Sequence, residues 1–336
     1  MLNGLIHNRP TAAYCALAAS VLLGPPAYGA GSDEMPNVLQ IRPQVYVLTA
    51  RDTNTVVETG SDGTLVVDPG PMAAAAATLK AIHAIAQSPI RYIVNTSLDS
   101  SLIASDEVIS QAGYSFAAGQ LGRAAPVMAR QEVLSALINR PGEHLSAWAL
   151  PSEVYTRPQW NFFLNGEGIE LIWEPSAHSN GDTVVRLPQS DVVVTGDIFD
   201  DTRFPRIDLS HGGSIQGEFD ALNELLNREV ITPIPLVGSA VLQGHTGTLV
   251  VPVRGPVCDQ ADLVTYRDMV GTVILRVQNL INHHATLQQV LAAKPTQGYD
   301  RRWGADSGDW TTNDFVEAVY RSLSMPHKLQ RTEDGP

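Results

Sequence analysis

Short runs of β-branched residues come in two groups along the chain, and this arrangement restricts the folds that it can form. The first group covers residues 45–49, 55–58 and 64–68, and the second covers 168–173, 183–187 and 191–195. Such runs are typical of short strands, and Asp62-Gly63 is a strong hairpin signal between two of them. Further strands are predicted at 90–95 and 248–253, and helices at 73–86 and 219–227. Residues 103–150 are predicted to be helix and loop. We therefore predict an α/β protein in which two sheets pack face to face, with helices outside.

The charge of the chain argues against some classes of partner. The sequence has 35 acidic and 22 basic residues, which give a formal net charge of −13. Nucleic acids and anionic membranes attract clusters of Lys and Arg, and the sequence contains no such cluster. We expect neither nucleic acid nor, apart from export, a membrane as a partner. A small-molecule ligand is compatible with this composition.

Residues 1–30 have the organisation of a secretory signal peptide. His7 and Arg9 precede an apolar stretch at 11–23, which is followed by Gly24-Pro25-Pro26 and by small residues up to Ala30. The stretch is shorter than the roughly 20 residues that a membrane-spanning helix needs. We expect residues 1–30 to be removed and the mature protein to be exported, to the periplasm or outside the cell. A short membrane anchor and a misassigned start are the alternatives.

After Pro256 the pattern of the sequence becomes helical. Apolar residues recur at three- and four-residue spacing at Leu263, Tyr266, Val270, Val273, Val277 and Leu280. This spacing forms one apolar face on a long helix, and shorter helices are predicted at 287–293 and 315–323. We predict a domain at 31–256 and a C-terminal helical extension at 257–336. The apolar face of the extension is expected to pack on the domain or to form an oligomer.

Several segments, taken in order, resemble the metallo-β-lactamase superfamily. They are Val45-Tyr46-Val47, Val67-Asp68-Pro69-Gly70, Ile93-Val94-Asn95-Thr96, Ala177-His178-Ser179-Asn180-Gly181-Asp182 and Thr195-Gly196-Asp197. Together with the C-terminal extension, the resemblance covers residues 40–325 and is nearest to a secreted bacterial subgroup. It implies a four-layer αββα sandwich that carries a C-terminal helical extension.

The resemblance also identifies the positions of the metal ligands. In the superfamily, Asn-Thr is followed by His-x-His-x-Asp-His, and these side chains hold two zinc ions that polarise a water molecule. Here the four ligand positions are Ser97, Asp99, Ser101 and Leu102. A neutral hydroxyl is a poor zinc ligand and leucine is none, so only Asp99 of these four could bind a cation. The resemblance therefore implies a metal site that has been largely dismantled.

Two later ligand positions are retained and one is replaced. The third histidine of the superfamily matches His178, and the carboxylate that bridges the two metals matches Asp197. The last histidine falls on Arg254 when the register is taken from the strand at 248–253. His245 is a rival match, although it precedes that strand. His211 is a further candidate, because its loop lies near the site in the superfamily.

We expect Arg254 to compensate for the missing metal charge by pairing with a carboxylate, Asp197 above all. Each retained residue also has a structural interpretation. His178 is then a buried histidine that caps its loop, and Asp197 accepts backbone amides of its turn. Asp99 is then the N-cap of a helix that begins near Ser100. The sequence leaves both interpretations open.

The predicted function is that of a non-catalytic superfamily member, a pseudoenzyme whose cleft binds a small ligand and requires no cofactor. The alternative is an active hydrolase with a rebuilt single-metal site made by Asp99, His178 and Asp197, completed by His211 or His245. One imidazole with two carboxylates resembles sites for iron or manganese more than a zinc site, and at most one divalent ion (zinc, iron or manganese) is expected. Such an enzyme would act on an ester, lactone, thioester or lactam.

Overall fold

The first of two β-sheets is mixed. The computed structural model describes residues 34–115, 124–140, 145–230 and 247–324, and within them this sheet has seven strands in chain order. They are β1 Asn37–Arg42, β2 Val45–Ala50, β3 Thr53–Thr59, β4 Thr64–Val67, β5 Ile90–Val94, β6 Val127–Arg130 and β7 Glu153–Tyr155. Strands β1 to β4 are antiparallel neighbours, and β4 to β7 run parallel. The hairpin predicted at Asp62-Gly63, between β3 and β4, is therefore confirmed.

The second sheet has the strand order β12-β11-β10-β9-β8 in the described residues. Its strands are β8 Gln159–Leu164, β9 Glu167–Glu174, β10 Asp182–Leu187, β11 Val192–Val194 and β12 Leu249–Val251. Neighbours are antiparallel except for β11 and β12, which are parallel. Valine and leucine side chains from both sheets fill the space between them, for example Val67, Val94, Val185 and Val251.

Helices cover the outer faces of the two sheets. The described helices are α1 Ala75–Ile85, α2 Ser100–Ile103, α3 Asp106–Gln111, α4 Gln131–Ile138, α5 Ile215–Glu224, α6 Gln260–Asn282, α7 Leu287–Ala293, α8 Asp300–Trp303 and α9 Thr312–Ser324. Ile82 of α1 and Ile109 of α3 pack on the first sheet. Leu222 of α5 and Val270 of α6 pack with Val184 of the second sheet. The order of layers is helix, sheet, sheet, helix, as predicted.

The C-terminal helices share a core with the second sheet. Tyr266, Trp303 and Phe315 are buried in that core, and the ring of Phe315 stacks on Phe204 at 4.8 Å. Asp259 begins α6 with a reciprocal capping box, in which its side chain accepts from the helix and the Asp262 side chain accepts from its amide. The apolar stripe read from the sequence therefore packs on the domain itself. None of the described helices is long and apolar enough to span a membrane.

Some parts of the sequence prediction need correction. The stretch at 103–150 contains the strand β6, and the strands β1, β7 and β8 were not predicted at all. Strands β6 and β7 have only four and three residues, which is too short for a periodic pattern to identify them. The predicted signal peptide at 1–30 and the end of the extension at 325–336 lie outside the described residues.

Candidate active site

The candidate site lies where parallel strands from the two sheets end. Strands β4 and β5 run parallel in the first sheet, and β11 and β12 run parallel in the second. The segments that follow these strands carry most of the predicted site residues, because side chains at the carboxyl ends of parallel strands share one edge. The Thr183 amide donates to the Thr96 carbonyl at 2.8 Å, which joins the two sheets at this edge.

Buried carboxylates hold the loop that follows β5. Asp68, at the end of β4, accepts from the Thr96 amide at 2.8 Å and from the Thr96 hydroxyl at 2.6 Å. Asp106 accepts from the Asn95 side-chain amide at 2.7 Å. Burial raises the pKa of Asp68 to about 7, and the hydrogen bonds from Thr96 oppose that rise. The conformation of this loop therefore depends on contacts within the protein.

A glycine allows the loops after β5 and β11 to approach each other. Gly196 has a φ of +53°, and a Cβ atom at this position would lie 2.2 Å from the Thr96 hydroxyl oxygen. A residue with a side chain at this position would have a strained backbone and would clash with Thr96. The next residue, Asp197, is thereby placed in a short 3-10 turn, Gly196–Ile198.

His178 and Asp197 face each other in the buried part of the site. The His178 Nδ1–H donates to the Arg206 carbonyl, which leaves Nε2 3.8 Å from the Asp197 Oδ2 atom. Burial by itself lowers the pKa of His178, but the charges of Asp197 and its neighbours outweigh burial and raise the pKa overall. These charges therefore favour the protonated imidazole. The Oδ2 atom of Asp197 is buried and has no hydrogen-bond partner among the described residues.

A second buried carboxylate fixes the loop that carries His178. Asp182, the first residue of β10, accepts from the Ser179 amide at 2.6 Å and from the Ser179 hydroxyl at 2.9 Å. The loop that presents His178 is therefore held by contacts within the protein.

The ligand positions after β5 are engaged in other contacts. The Ser97 hydroxyl is buried and accepts from the Asp99 amide at 3.2 Å. Asp99 is the N-cap of α2, since its carboxylate accepts from the Ser101 amide at 2.8 Å, and it also pairs with Arg206 at 3.0 Å. Burial raises the pKa of Asp99, but the Ser101 amide and the Arg206 charge together lower it by a larger amount, so the net shift is downward. The prediction of an N-cap is confirmed.

Leu102 is part of the core rather than of the cleft. Its side chain is fully buried in an apolar cluster with Leu98, Ile103, Ala129, Val133, Leu137 and Val253. A ligand side chain at this position could not reach a cation without disrupting the cluster.

Arg254 lies in the site, but its main partner differs from the one predicted. Its Nη1 donates to Asp200 Oδ2 at 3.2 Å and its Nη2 to the Ser101 hydroxyl at 2.9 Å. Burial lowers the pKa of Arg254, while the charges of Asp197 and Asp200 raise it more, and the net shift is upward. Asp197 therefore acts on the guanidinium through charge, and Asp200 accepts the hydrogen bond. The Asp201 amide donates to the Arg254 carbonyl at 3.3 Å, which brings the neighbouring Asp200 alongside.

Of the two extra histidine candidates, His211 does not complete a metal site among the described residues. The His211 Nδ1 atom lies 2.6 Å from Asp208 Oδ2, at the edge of the site. His245 lies outside the described residues, so its position stays a prediction.

Solved structures give an independent comparison of the fold, whereas no protein-family model and no curated protein matches the sequence. A metallo-β-lactamase from Pontibacter korlensis is 17% identical with a TM-score of 0.54, covering 70% of this chain and 99% of its own. The chain has the metallo-β-lactamase fold. The DIM-1 metallo-β-lactamase agrees at 14% identity and a TM-score of 0.52, covering 71% of this chain and 98% of its own. At such identities the likeness concerns the fold alone.

A further structure with this fold also matches part of the C-terminal extension. The sec-alkylsulfatase Pisa1 from Pseudomonas sp. is 15% identical with a TM-score of 0.61, covering 87% of this chain. An alignment that omits only 13% of the chain must include some of residues 257–336, which make up nearly a quarter of it. The chain spans about half (51%) of the length of that sulfatase.

The side chains do not fit the dinuclear metal centre that the metallo-β-lactamase fold implies. Leu102 is core, Ser101 is bonded to a guanidinium, and Asp99 is ion-paired. Among the described residues, no group of three or more His, Cys, Asp or Glu side chains is arranged to hold a metal ion. The buried oxygen of Asp197 could accept a cation, but among the described residues the one retained ligand position that it contacts is His178.

A cleft of about 590 Å³ opens above these residues. Its lining comprises Leu98, Asp99, Ser100, Ser101, Arg140, His178, Arg206, Ile207, Asp208, Ser210, Arg254, Asp309 and Trp310. Sequence reasoning missed Asp200, Arg206 and Trp310, because none of them belongs to a motif or to a periodic pattern. The Pro205-Arg206 step, shortly after Gly196-Asp197, was the one local signal that could have drawn attention to this loop.

Proposed function

We propose that this chain is a non-catalytic member of the metallo-β-lactamase fold and that its cleft binds a small molecule. One observation carries the proposal: the Arg254 Nη2 atom donates to the Ser101 hydroxyl at 2.9 Å. Both residues stand at positions that the resemblance assigns to metal ligands. Two former ligand positions are thus bonded to each other, 153 residues apart in sequence.

The charges in the site support the same proposal. Arg254 and Arg206 pair with Asp200 and Asp99, and the imidazole of His178 faces Asp197. These cations offset buried carboxylates, which are costly to leave unpaired. A guanidinium donates hydrogen bonds but has no vacant orbital for a water molecule. It therefore replaces the charge of a metal ion without the ability to activate a nucleophile.

A second candidate function rests on the Asp197 oxygen that has no partner. Asp197 Oδ2 is buried and faces His178 Nε2, and these two residues are retained ligand positions. A single ion held there, with Asp99 released from Arg206, would give a hydrolase for esters, lactones, thioesters or lactams. The pairing of Asp99 with both Arg206 and the α2 amide argues against this candidate.

Metal analysis separates the two candidates. The protein is purified without chelators, its zinc, iron and manganese contents are measured, and turnover is assayed on lactam, lactone and thioester panels. We expect no stoichiometric metal, no turnover, and no rise in melting temperature with added zinc, since a ligand of the folded state raises it. The matched variants are His178→Ala in the site and His211→Ala at its edge. One metal ion per chain that is lost with His178→Ala but kept with His211→Ala, together with chelator-sensitive hydrolysis, would overturn the proposal.

A further inference from the structure

The charged side chains in and around the cleft differ in exposure. The side chains of Asp197, Asp200 and Asp99 are 5%, 6% and 13% exposed, whereas that of Arg206 is 43% exposed. Asp99 and Arg206 both line the cleft, and Asp197 and Asp200 are buried outside its lining. More of the Arg206 side chain than of the Asp99 side chain is therefore open to an incoming molecule.

Two of the three arginines that line the cleft, Arg206 and Arg254, keep donors for an incoming group. Toward described residues, Arg206 donates from Nη1 alone, to Asp99 at 3.0 Å. Arg254 donates one hydrogen bond from each Nη atom, to Asp200 and Ser101. A guanidinium has five N–H bonds in a planar fork, so each arginine retains donors that these contacts do not use. The geometry of such a fork suits a carboxylate.

The lining of the cleft is apolar in part. Trp310 lies in the segment between α8 and α9, and its indole N–H donates to the Pro205 carbonyl at 3.2 Å. This bond satisfies the polar atom of the indole and leaves the ring as an apolar surface of the cleft, beside Leu98 and Ile207. The C-terminal extension thus contributes directly to the cleft. A ligand with a hydrocarbon part can bury it on this apolar surface.

We infer that the cleft binds a small organic monoanion, with its carboxylate at Arg206 and Arg254 and its hydrocarbon part against Trp310. The inference rests on the proposed function and deepens it. The acidic lining residues favour a ligand with a single charge, because Asp99, Asp208 and Asp309 repel a polyanion more strongly than a monoanion. The cleft volume of about 590 Å³ lies in the range of small-molecule sites.

Hexanoate is the test ligand, and hexanamide is its neutral counterpart of the same shape. Binding is measured by titration calorimetry and by the indole N–H signals in a ¹⁵N-labelled sample, with the Trp310 signal assigned from Trp310→Phe. We expect hexanoate to bind and to shift the Trp310 signal, and hexanamide and inorganic phosphate to bind about tenfold more weakly or not at all. We expect Arg206→Gln to weaken hexanoate binding about tenfold or more. Arg321→Gln, which removes a positive charge from an exposed pair with Glu317, is the matched control and should change binding less than about twofold.

The inference and the proposed function fail in different ways. Equal binding of hexanoate and hexanamide, or equal effects of Arg206→Gln and Arg321→Gln, would overturn the inference. Metal content is measured on the same samples. If the protein contains no metal and does not bind hexanoate, the inference is refuted and the proposed function stands. Stoichiometric metal with hexanoate binding that chelator abolishes would overturn both. Arg206 is half-exposed, so its variant is expected to fold, and circular dichroism checks this.

Discussion

Replacing Arg254 by methionine tests whether the guanidinium stabilises the site in place of a metal. The side chain is 13% exposed and gives hydrogen bonds to Asp200 and Ser101. Removal of one partner of a buried ion pair costs about 3–5 kcal/mol when the remaining charge is left uncompensated. Asp200 keeps other partners, because Thr202 donates to its Oδ1 from the amide at 2.9 Å and from the hydroxyl, and Arg203 Nε lies 3.3 Å from its Oδ2.

The expected loss is therefore smaller than that of an isolated pair. One charge-assisted hydrogen bond to Asp200 and one to Ser101 are lost, and methionine recovers some apolar burial. We expect Arg254→Met to lower the free energy of unfolding by about 2–3 kcal/mol at pH 7.5, measured by urea denaturation. Arg321→Met breaks an exposed helical pair with Glu317, and it should cost no more than about 0.5 kcal/mol.

A double-mutant cycle assigns the effect to the Asp200 contact. Arg254→Met, Asp200→Asn and the double variant are compared, and a coupling free energy of about 1 kcal/mol or more is expected. If Arg254→Met costs no more than Arg321→Met, the guanidinium does not stabilise the site. The charge-replacement argument then fails, although the fold assignment does not depend on it.

Three further predictions concern positions in and around the site. Burial, with Glu167 and Asp62 nearby, raises the pKa of Glu58 to about 7 despite hydrogen bonds from Asn165. The free energy that the protonated Glu58 side chain contributes to folding is therefore complete below about pH 4.5 and is lost as pH rises through 7. Glu58→Gln should remove up to about 3 kcal/mol from the decline in unfolding free energy between pH 4.5 and 8; an unchanged decline would refute this. Gly196→Ala should destabilise the protein by about 1 kcal/mol or more beyond Gly166→Ala, because both glycines have positive φ but only Gly196 meets Thr96; equal melting temperatures would contradict the clash. Asp99→Ala should cost about 1 kcal/mol more than Asp99→Asn, since asparagine keeps the N-cap and alanine does not; equal urea midpoints would show that the cap contributes nothing.

The fold was largely predictable because its strands and helices carry local patterns. The hairpin signal at Asp62-Gly63 and the apolar spacing in α6 each predict an element that the structure contains. The same holds for Asp99, because an aspartate before Ser-Ser-Leu-Ile has the pattern of an N-cap whatever the surrounding fold. Both sheets and the long C-terminal helix thus follow from residues that are neighbours in sequence.

The contacts of the site were less predictable because they join distant segments. Arg254 lies in the cleft, but the choice between Asp197 and Asp200 as its hydrogen-bond acceptor depends on the conformation of a short 3-10 turn. Arg130 illustrates the same limit. Its side chain is 2% exposed, with its guanidinium 4.0 Å from the Trp173 ring centroid and bidentate to Glu132. No sequence pattern marks an arginine as buried.

The buried carboxylates explain how the loops of the cleft keep their shape with other residues at the positions that the resemblance assigns to metal ligands. Asp68 accepts from Thr96 and Asp182 accepts from Ser179, and both bonds lie inside the protein. Loops supported in this way are held by the protein itself, so the residues at the ligand positions could differ while the fold persisted. Leu102 adds a second reason, because an apolar side chain there packs with Val133 and the rest of its cluster, where an imidazole would be a buried polar group. Leu102 therefore contributes to the core, and we expect Leu102→His to lower stability whether or not the imidazole could bind a cation.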